Sequence, residues 1–269
     1  MKTTYEQPIA RSKGISAIYV VIGCAIIAYL FFYLVCGAEG NFDDKGHPIN
    51  GNVLGTLYQG GFVIPIVITL FLTVITLSIE RAIAMGKASG RGKVAQFVIR
   101  AKQLLSAGDI DGAEKLCDKQ EGSVANILKA GLVRYRDVEK IKDMNNEEKA
   151  SLIEKEIAEA TALELPYLEQ NLNVIATISS LGTLFGLLGT VLGMIRSFAA
   201  LAHEGAPDSI QLSLGISEAL MNTALGIATG AAAIIAYGYF SAKVRTVANA
   251  VDEVGFAIGQ TYATSHQSN

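Results

Sequence analysis

Four long apolar stretches alternate with polar segments along the chain. They run from Ile15 to Cys36, Gly60 to Ile79, Leu172 to Phe198 and Leu212 to Ala242. A helix that crosses about 30 Å of hydrocarbon at 1.5 Å per residue needs roughly 20 apolar residues, and each stretch supplies them. The pattern predicts an all-α integral membrane protein with four transmembrane helices at 15–36, 60–79, 172–198 and 212–242. The first stretch also invites comparison with a secretory signal, but its apolar run is too long and no small-x-small cleavage site stands out. A retained span is the expected reading. Pro65 lies near the start of the second stretch, where a membrane helix tolerates it, with or without a kink.

The basic residues orient these spans. Lys2, Arg11 and Lys13 precede the first, segment 80–171 holds most of the remaining lysines and arginines, and Lys243 and Arg245 follow the last. The loop 37–59 carries only Lys45 against Glu39, Asp43 and Asp44, and the loop 199–211 has no basic residue. The bias of lysine and arginine toward the cytoplasmic side puts segments 1–14, 80–171 and 243–269 inside and the two loops outside, with both termini cytoplasmic.

The inside segment between the second and third spans reads as a helical domain. Val94, Phe97, Val98, Ala101, Leu104 and Leu105 recur at helical spacing. Gly108 ends that helix and Asp109 caps the next. Leu116, Ile127, Leu128 and Leu132 continue the pattern. Asn145 or Asn146 opens a longer helix with a charged face through Glu147, Glu148, Lys149, Glu154, Lys155, Glu156 and Glu159. That face is a solvated surface in the simplest view, and its near balance of sign also suits pairing between subunits. Pro166 is the only interruption before the third span, so one helix is expected to run into the membrane with any bend near Pro166.

Composition agrees with a chain divided between lipid and water. Charged residues make up 17% against 51% apolar ones, where soluble domains carry about 25% charged residues. A net charge of -3 gives no basic surface for nucleic acid. Cys24, Cys36 and Cys117 have no metal-ligand or disulfide-framework spacing, and Cys24 and Cys36 lie in apolar sequence as small hydrophobes. His47, His203 and His266 fall in loops or the tail. No phosphate-cradling glycine loop and no nucleophile–base arrangement occurs, so an enzyme, a cofactor and a metal site are not expected. With no Trp in the chain, Tyr19, Tyr33, Tyr58, Tyr237 and Phe240 supply the interfacial aromatics.

The candidate chemistry lies in the last two spans. The third contains GTLFGLLGTVLGMIRSF, with Gly182 and Gly186 as one GxxxG pair and Gly189 and Gly193 as another. Such glycines let helix backbones approach closely in lipid, and Gly226 and Gly230 in the fourth span serve the same packing. Thr183 and Thr190 share a face, although a threonine in a span usually bonds back to its own helix. The fourth span carries GISEALMNTALGIATG and with it Glu218, a costly group in hydrocarbon that points either to an ion path or to the outer interface. Thr190 and Thr223 both come to roughly 15 Å from the outer end of their spans, and Arg196 and Glu218 to roughly 7 Å. Two threonines at one depth with a glutamate further out define one polar path. Arg196 either snorkels to the interface or pairs with Glu218 and makes it a fixed charge, with Glu204 and Asp208 as rival partners.

The strings GLLGTVLGM and GISEALMNTALG, with SIERA at 78–82 and GDIDGAEKLC at 108–117, resemble the ExbB/TolQ/MotA proton-channel family, and most closely its ExbB members. The similarity covers roughly Leu57 to Ala250. It implies that Thr190, Glu218 and Thr223 line a central channel. It also implies a homopentamer enclosing two single-span helices of an ExbD-like or TolR-like partner, whose aspartate carries the proton. ExbB and TolQ usually have three spans, so the first span here is extra. MotA has four but places prolines in its channel spans, and these spans contain none. The resemblance implies an inner-membrane motor subunit that draws on the proton-motive force and energises a TonB-like protein for outer-membrane transport. A TolQ-like role rests on the same motifs. A MotA-like stator fits less well, and so does a secondary transporter, which predicts inverted repeats and broken helices. A passive scaffold needs only the glycines and not the polar face.

Overall fold

The computed structural model describes residues 16–266 apart from Lys45, Asn50, Lys142 and 203–208, and describes only the backbone at 200–202, 209, 265 and 266. Lys2, Arg11, Lys13, Lys45, His203, Glu204 and Asp208 therefore lie outside the described residues, as does the side chain of His266. Among the described residues every regular element is helical apart from one isolated bridge between Phe42 and Pro48. Four helical stretches are long and apolar enough to cross a membrane: Ala17–Cys36, Val63–Ser106, Asn146–Ala199 and Ile210–Thr264. The chain divides into two compact units, Met1–Thr73 with Leu181–Thr229, and Val74–Ser180 with Gly230–Asn269.

The first unit begins with α1 (Ala17–Phe31), which widens into a π turn over Phe32–Cys36. Asn41 ends this helix by donating from Nδ2 to the carbonyls of Val35 at 2.7 Å and Cys36 at 3.0 Å, which would otherwise be orphaned at a helix terminus. Asn52 donates to Asn41 Oδ1 at 2.9 Å and caps α2 (Val53–Gln59) by accepting from the amides of Leu54 and Gly55. Phe32, Cys36 and Ile64 form a buried cluster joined by Leu54, Leu57, Tyr58, Ile68, Met221 and Leu225. Tyr58 stacks on Phe32 at 4.9 Å. α2 occupies part of the expected outer loop, and the helix of the second span, α3 (Val63–Ser89), starts three residues later than expected. The reason is local. Gly60 and Gly61 interrupt the helix, and Gly61 has φ +69°, a conformation that disfavours any residue with a Cβ. Pro65 then sits in the first turn of α3, where its missing amide costs nothing.

The second unit contains the C-terminal part of α3 from Val74 on, followed by α4 (Val94–Ser106), α5 (Ile110–Gln120), α6 (Gly122–Glu139) and α7 (Asn146–Glu169). Asp109 caps α5 by accepting from the Gly112 amide at 2.8 Å, and Asn145 and Glu148 form a reciprocal capping box on α7. The core joins Ile127, Leu128, Leu132, Ile153, Ile157 and Ile258, all buried. Gly131 permits this packing, since a Cβ there would lie 2.9 Å from Ile157 and 3.0 Å from Ile258. Cys117 is buried on α5, and its thiol is pushed up to about 12, by burial first and by the Asp118 carboxylate second. A thiol held protonated in this way is inert near neutral pH.

The interruption before the third span differs from the expected bend. α7 continues past Pro166 and stops at Glu169, and α8 (Leu172–Ala202) begins after a break in which Asn171 has φ +65°. Arg81 sets this break. Its fully buried guanidinium donates to the carbonyls of Tyr167 at 3.0 Å and Leu168 at 3.3 Å, while its Nε donates to Glu80 at 2.6 Å. These are the last carbonyls of α7, left without amide partners when the helix ends. The last helix, α9 (Ser209–His266), continues for 58 residues, well past Ala242.

Removing the guanidinium strands both the α7 carbonyls and Glu80. Arg81→Met is therefore expected to lower stability by about 3–5 kcal/mol, the cost of breaking a buried charge cluster from one side. Thermal unfolding in detergent measures this, and a midpoint equal to that of the unsubstituted protein would contradict the assignment.

Candidate functional site in the paired helices

α8 and α9 meet along a stripe of small residues. Gly182, Gly186, Gly189, Gly193 and Ser197 on α8 are buried, as are Gly215, Ala219, Asn222 and Gly226 on α9. Residues spaced by three and four fall on one helix face, so each stripe is a continuous strip. The approach is close enough that a Cβ on Gly226 would sit 2.6 Å from Gly186 Cα. One on Gly193 would sit 2.9 Å from Ala219 Cβ. Backbones can come this near only where both sides lack bulk. The contacts pair early α8 residues with late α9 residues, so the two helices run antiparallel.

Within this seam the hydroxyls of Thr190 and Thr223 hydrogen-bond to each other. Backbone carbonyls lie within reach of both, and with one hydrogen apiece only one hydroxyl donates to backbone while the mutual bond holds. Thr190 Oγ1 reaches the Gly186 carbonyl at 3.2 Å and the Ala219 carbonyl at 3.4 Å, and Thr223 Oγ1 reaches the Gly186 carbonyl at 3.3 Å. The sequence expectation of a bond back to the threonine's own helix thus describes one of several contacts. The second, intersegment contact exists because the glycines bring the two Cβ atoms together. Neither hydroxyl titrates, so the pair can exchange hydrogen bonds with water or a partner group but cannot hold a proton.

Toward the α8–α9 loop end of the same seam, Arg196 Nη1 donates to Glu218 Oε1 at 2.6 Å. The geometry is lopsided. Glu218 is buried, while the Arg196 side chain is 53% exposed. The exposed side faces a cavity of ≈ 290 Å³ whose lining includes His47, Gln59 and Gln211. His47, placed in the outer loop by sequence, holds its Nδ1 3.9 Å from Asp43. Gly61 backs the pair: a Cβ on it would lie 3.1 Å from Arg196 Nη1 and 3.4 Å from Glu218 Oε1. Among the described residues no group of three His, Cys, Asp or Glu could hold a metal ion.

Two residues of this site went unnoticed in the sequence. Ser197 donates to the Gly193 carbonyl at 3.1 Å and extends the small-residue stripe. Asn222 is fully buried and donates from Nδ2 to the Gly60 carbonyl at 3.1 Å. The available signal for Asn222 was an amide in an apolar run four residues after Glu218, hence on the same face.

Comparison with known proteins places these residues in context. The profile described as the MotA/TolQ/ExbB proton channel family matches residues 119–253. The biopolymer transport protein ExbB of Aquifex aeolicus is 34% identical over 118 residues, which is 44% of this chain and 72% of that protein. The Tol-Pal system protein TolQ of Pseudomonas aeruginosa is 30% identical over 123 residues, 46% of this chain and 53% of that protein. The ExbB of Salmonella typhimurium is 25% identical over 146 residues, 53% of this chain and 60% of that protein. The chain thus spans little more than half the length of the second and third of these relatives. With four long apolar helices and relatives of these names, it is a multi-pass membrane protein.

The seam predicts a contrast between two glycines. Gly226→Ala forces a methyl onto the Gly186 backbone, whereas Gly23→Ala on α1 meets nothing within 4 Å. Gly226→Ala is expected to cost about 1–3 kcal/mol through overpacking, and Gly23→Ala to be neutral. Thermal melts of the two variants side by side measure the difference, and equal midpoints would argue against the close approach.

Proposed function

The chain belongs to the MotA/TolQ/ExbB proton channel family, and on that premise we propose that it is the channel subunit of a motor driven by the proton-motive force in the bacterial inner membrane. It works with an ExbD-like single-span partner and energises a TonB-like protein for transport across the outer membrane. The observation that carries this reading is the hydroxyl pair of Thr190 and Thr223 set into the glycine seam, with Glu218 further out on the same helix. A scaffold has no need of hydroxyls there. The family is one of proton channels and not a known class of enzyme.

In this reading five copies form a ring with both termini cytoplasmic, and Thr190, Glu218 and Thr223 face the central path. The partner's two helices occupy the centre and supply the carboxylate that loads and unloads protons. The two hydroxyls hydrate the path beside that carboxylate. Arg196 neutralises Glu218, which then shapes the field of the outer path as a fixed charge. The first span lies on the outside of the ring against the second span. Its exposed Ile18, Ile22, Ile26, Leu30 and Leu34 suit lipid, and Phe32 and Cys36 pack against Ile64 of α3. A TolQ-like role in envelope maintenance stands beside the TonB reading, because relatives of both names match this chain.

Valine keeps the branched shape of threonine without its hydroxyl. Thr190→Val and Thr223→Val are therefore each expected to slow proton-driven transport by about tenfold, the equivalent of one net hydrogen bond, while the ring still assembles. Uptake of a TonB-dependent substrate in cells carrying each variant reads this directly. Undiminished uptake in both, in cells where deletion of the whole chain abolishes uptake, would reject the proton path. Uptake that survives deletion of the whole chain, with the deletion strain sensitive to detergent, would favour the Tol role.

A further inference from the structure

We propose that Asn222 is a positioning residue for the site. It ties the broken outer end of the second span to the α8–α9 seam and so holds Gly61 against the Arg196–Glu218 pair. Three segments meet at this one side chain. On α9, Asn222 follows Glu218 by four residues and precedes Gly226 by four, so it occupies the seam face between them. On α8, Gly189 makes room for it: a Cβ there would lie 2.5 Å from both Cβ and Cγ of Asn222. At the break between α2 and α3, the Gly60 carbonyl accepts from Asn222 Nδ2 at 3.1 Å.

The chemistry explains why an amide stands here. The helical ladder of α2 has ended at Gln59 and that of α3 begins only at Val63, so the break exposes backbone polar groups in an apolar setting, where each needs a partner. Packing alone would be met by alanine or serine beside Gly189. A longer side chain with a hydrogen-bond donor at its tip both fills the gap and reaches the carbonyl. Asn222 Oδ1 is buried without a hydrogen-bond partner among the described residues, so the Gly60 contact is the side chain's tether. The next residue, Gly61, turns with φ +69° directly against Arg196 and Glu218. The tether thereby fixes the wall against which the ion pair is set. Before the break, α2 joins the cluster of Phe32 and Cys36 through Leu54, Leu57 and Tyr58. The extra N-terminal span is thus linked to the ion pair through the same break.

The test uses the full chain assembled with its partner, in lipid nanodiscs for exchange and melting and in intact cells for transport, and it rests on the proposed proton path only in its transport arm. Hydrogen exchange of a peptide covering residues 57–63 reads the tether. Asn222→Ala should raise exchange there by about tenfold, the factor set by one net hydrogen bond. Asn222→Asp should protect the segment at low pH, where its protonated carboxyl donates an O–H to Gly60, and lose protection as the carboxyl ionises. Protection is read as a factor over the intrinsic exchange rate at each pH, which removes the pH dependence of amide exchange itself. Gly189→Ala should lower the melting midpoint, and the double variant Gly189→Ala with Asn222→Ala should recover it. The double variant should recover neither the protection of 57–63 nor proton-driven transport. Recovery of protection and transport along with stability would reduce Asn222 to packing and overturn the proposal. So would unchanged exchange in Asn222→Ala, or loss of the tether with transport at the level of the unsubstituted chain in an assay where Thr190→Val lowers it. If Thr190→Val is itself harmless, the proton path fails on its own, and the exchange measurements still decide the tether.

Discussion

In hydrocarbon, apolar burial gives helices no reason to associate, because lipid tails solvate leucine as well as another helix does. Association has to come from close backbone contact and from polar groups that find partners inside the protein. The seam between α8 and α9 supplies both. Gly186 and Gly226 bring the backbones together, and that distance brings the Thr190 and Thr223 hydroxyls within hydrogen-bonding reach. The same approach leaves Gly189 as the space for Asn222, and it sets Glu218 opposite Arg196. Bulk at the glycine positions would separate the helices and with them every polar pair of the site.

The second consequence is that irregular backbone is held by side chains remote in sequence. The break at Gly60 and Gly61 is met by Asn222, and the break at Gln170 and Asn171 by Arg81 and Glu80. In each case helix ends leave carbonyls that an arginine or asparagine from another helix satisfies. These contacts lie within different units, the first in Met1–Thr73 with Leu181–Thr229 and the second in Val74–Ser180 with Gly230–Asn269. The repeated solution follows from a shared requirement that buried backbone groups be paired.

Much of the fold was legible in the sequence because lipid imposes a constraint on composition alone. A continuous apolar run of spanning length needs no knowledge of its neighbours, so the four long helices stood out. The caps at Asp109 and Asn145 were legible for a similar reason, since a cap is a local contact. What escaped were features set by distant partners. Pro166 suggested a bend, yet α7 carries it without ending, and the break comes where Arg81 waits, 86 residues before Tyr167 in sequence. The break at Gly60 hides inside an apolar stretch because hydropathy does not register a change of backbone conformation. At the site, matching depths placed Thr190 level with Thr223 and Arg196 level with Glu218, and in the structure each pair is in contact. Asn222 was passed over because its partner lies 162 residues away.

The central claim is that the polar face of the α8–α9 seam lines a hydrated path, and water access tests it most directly. Single cysteines placed at 190 and 223, in a chain whose native Cys24, Cys36 and Cys117 have been replaced, would be exposed to a membrane-impermeant thiol reagent in intact vesicles holding the assembled motor. Labelling at both positions, with none at a control cysteine replacing the exposed Ile22 in the apolar run of α1, is the expected result. Equal protection of 190, 223 and 22 would mean that the hydroxyl pair is sealed from water and does not serve a proton path.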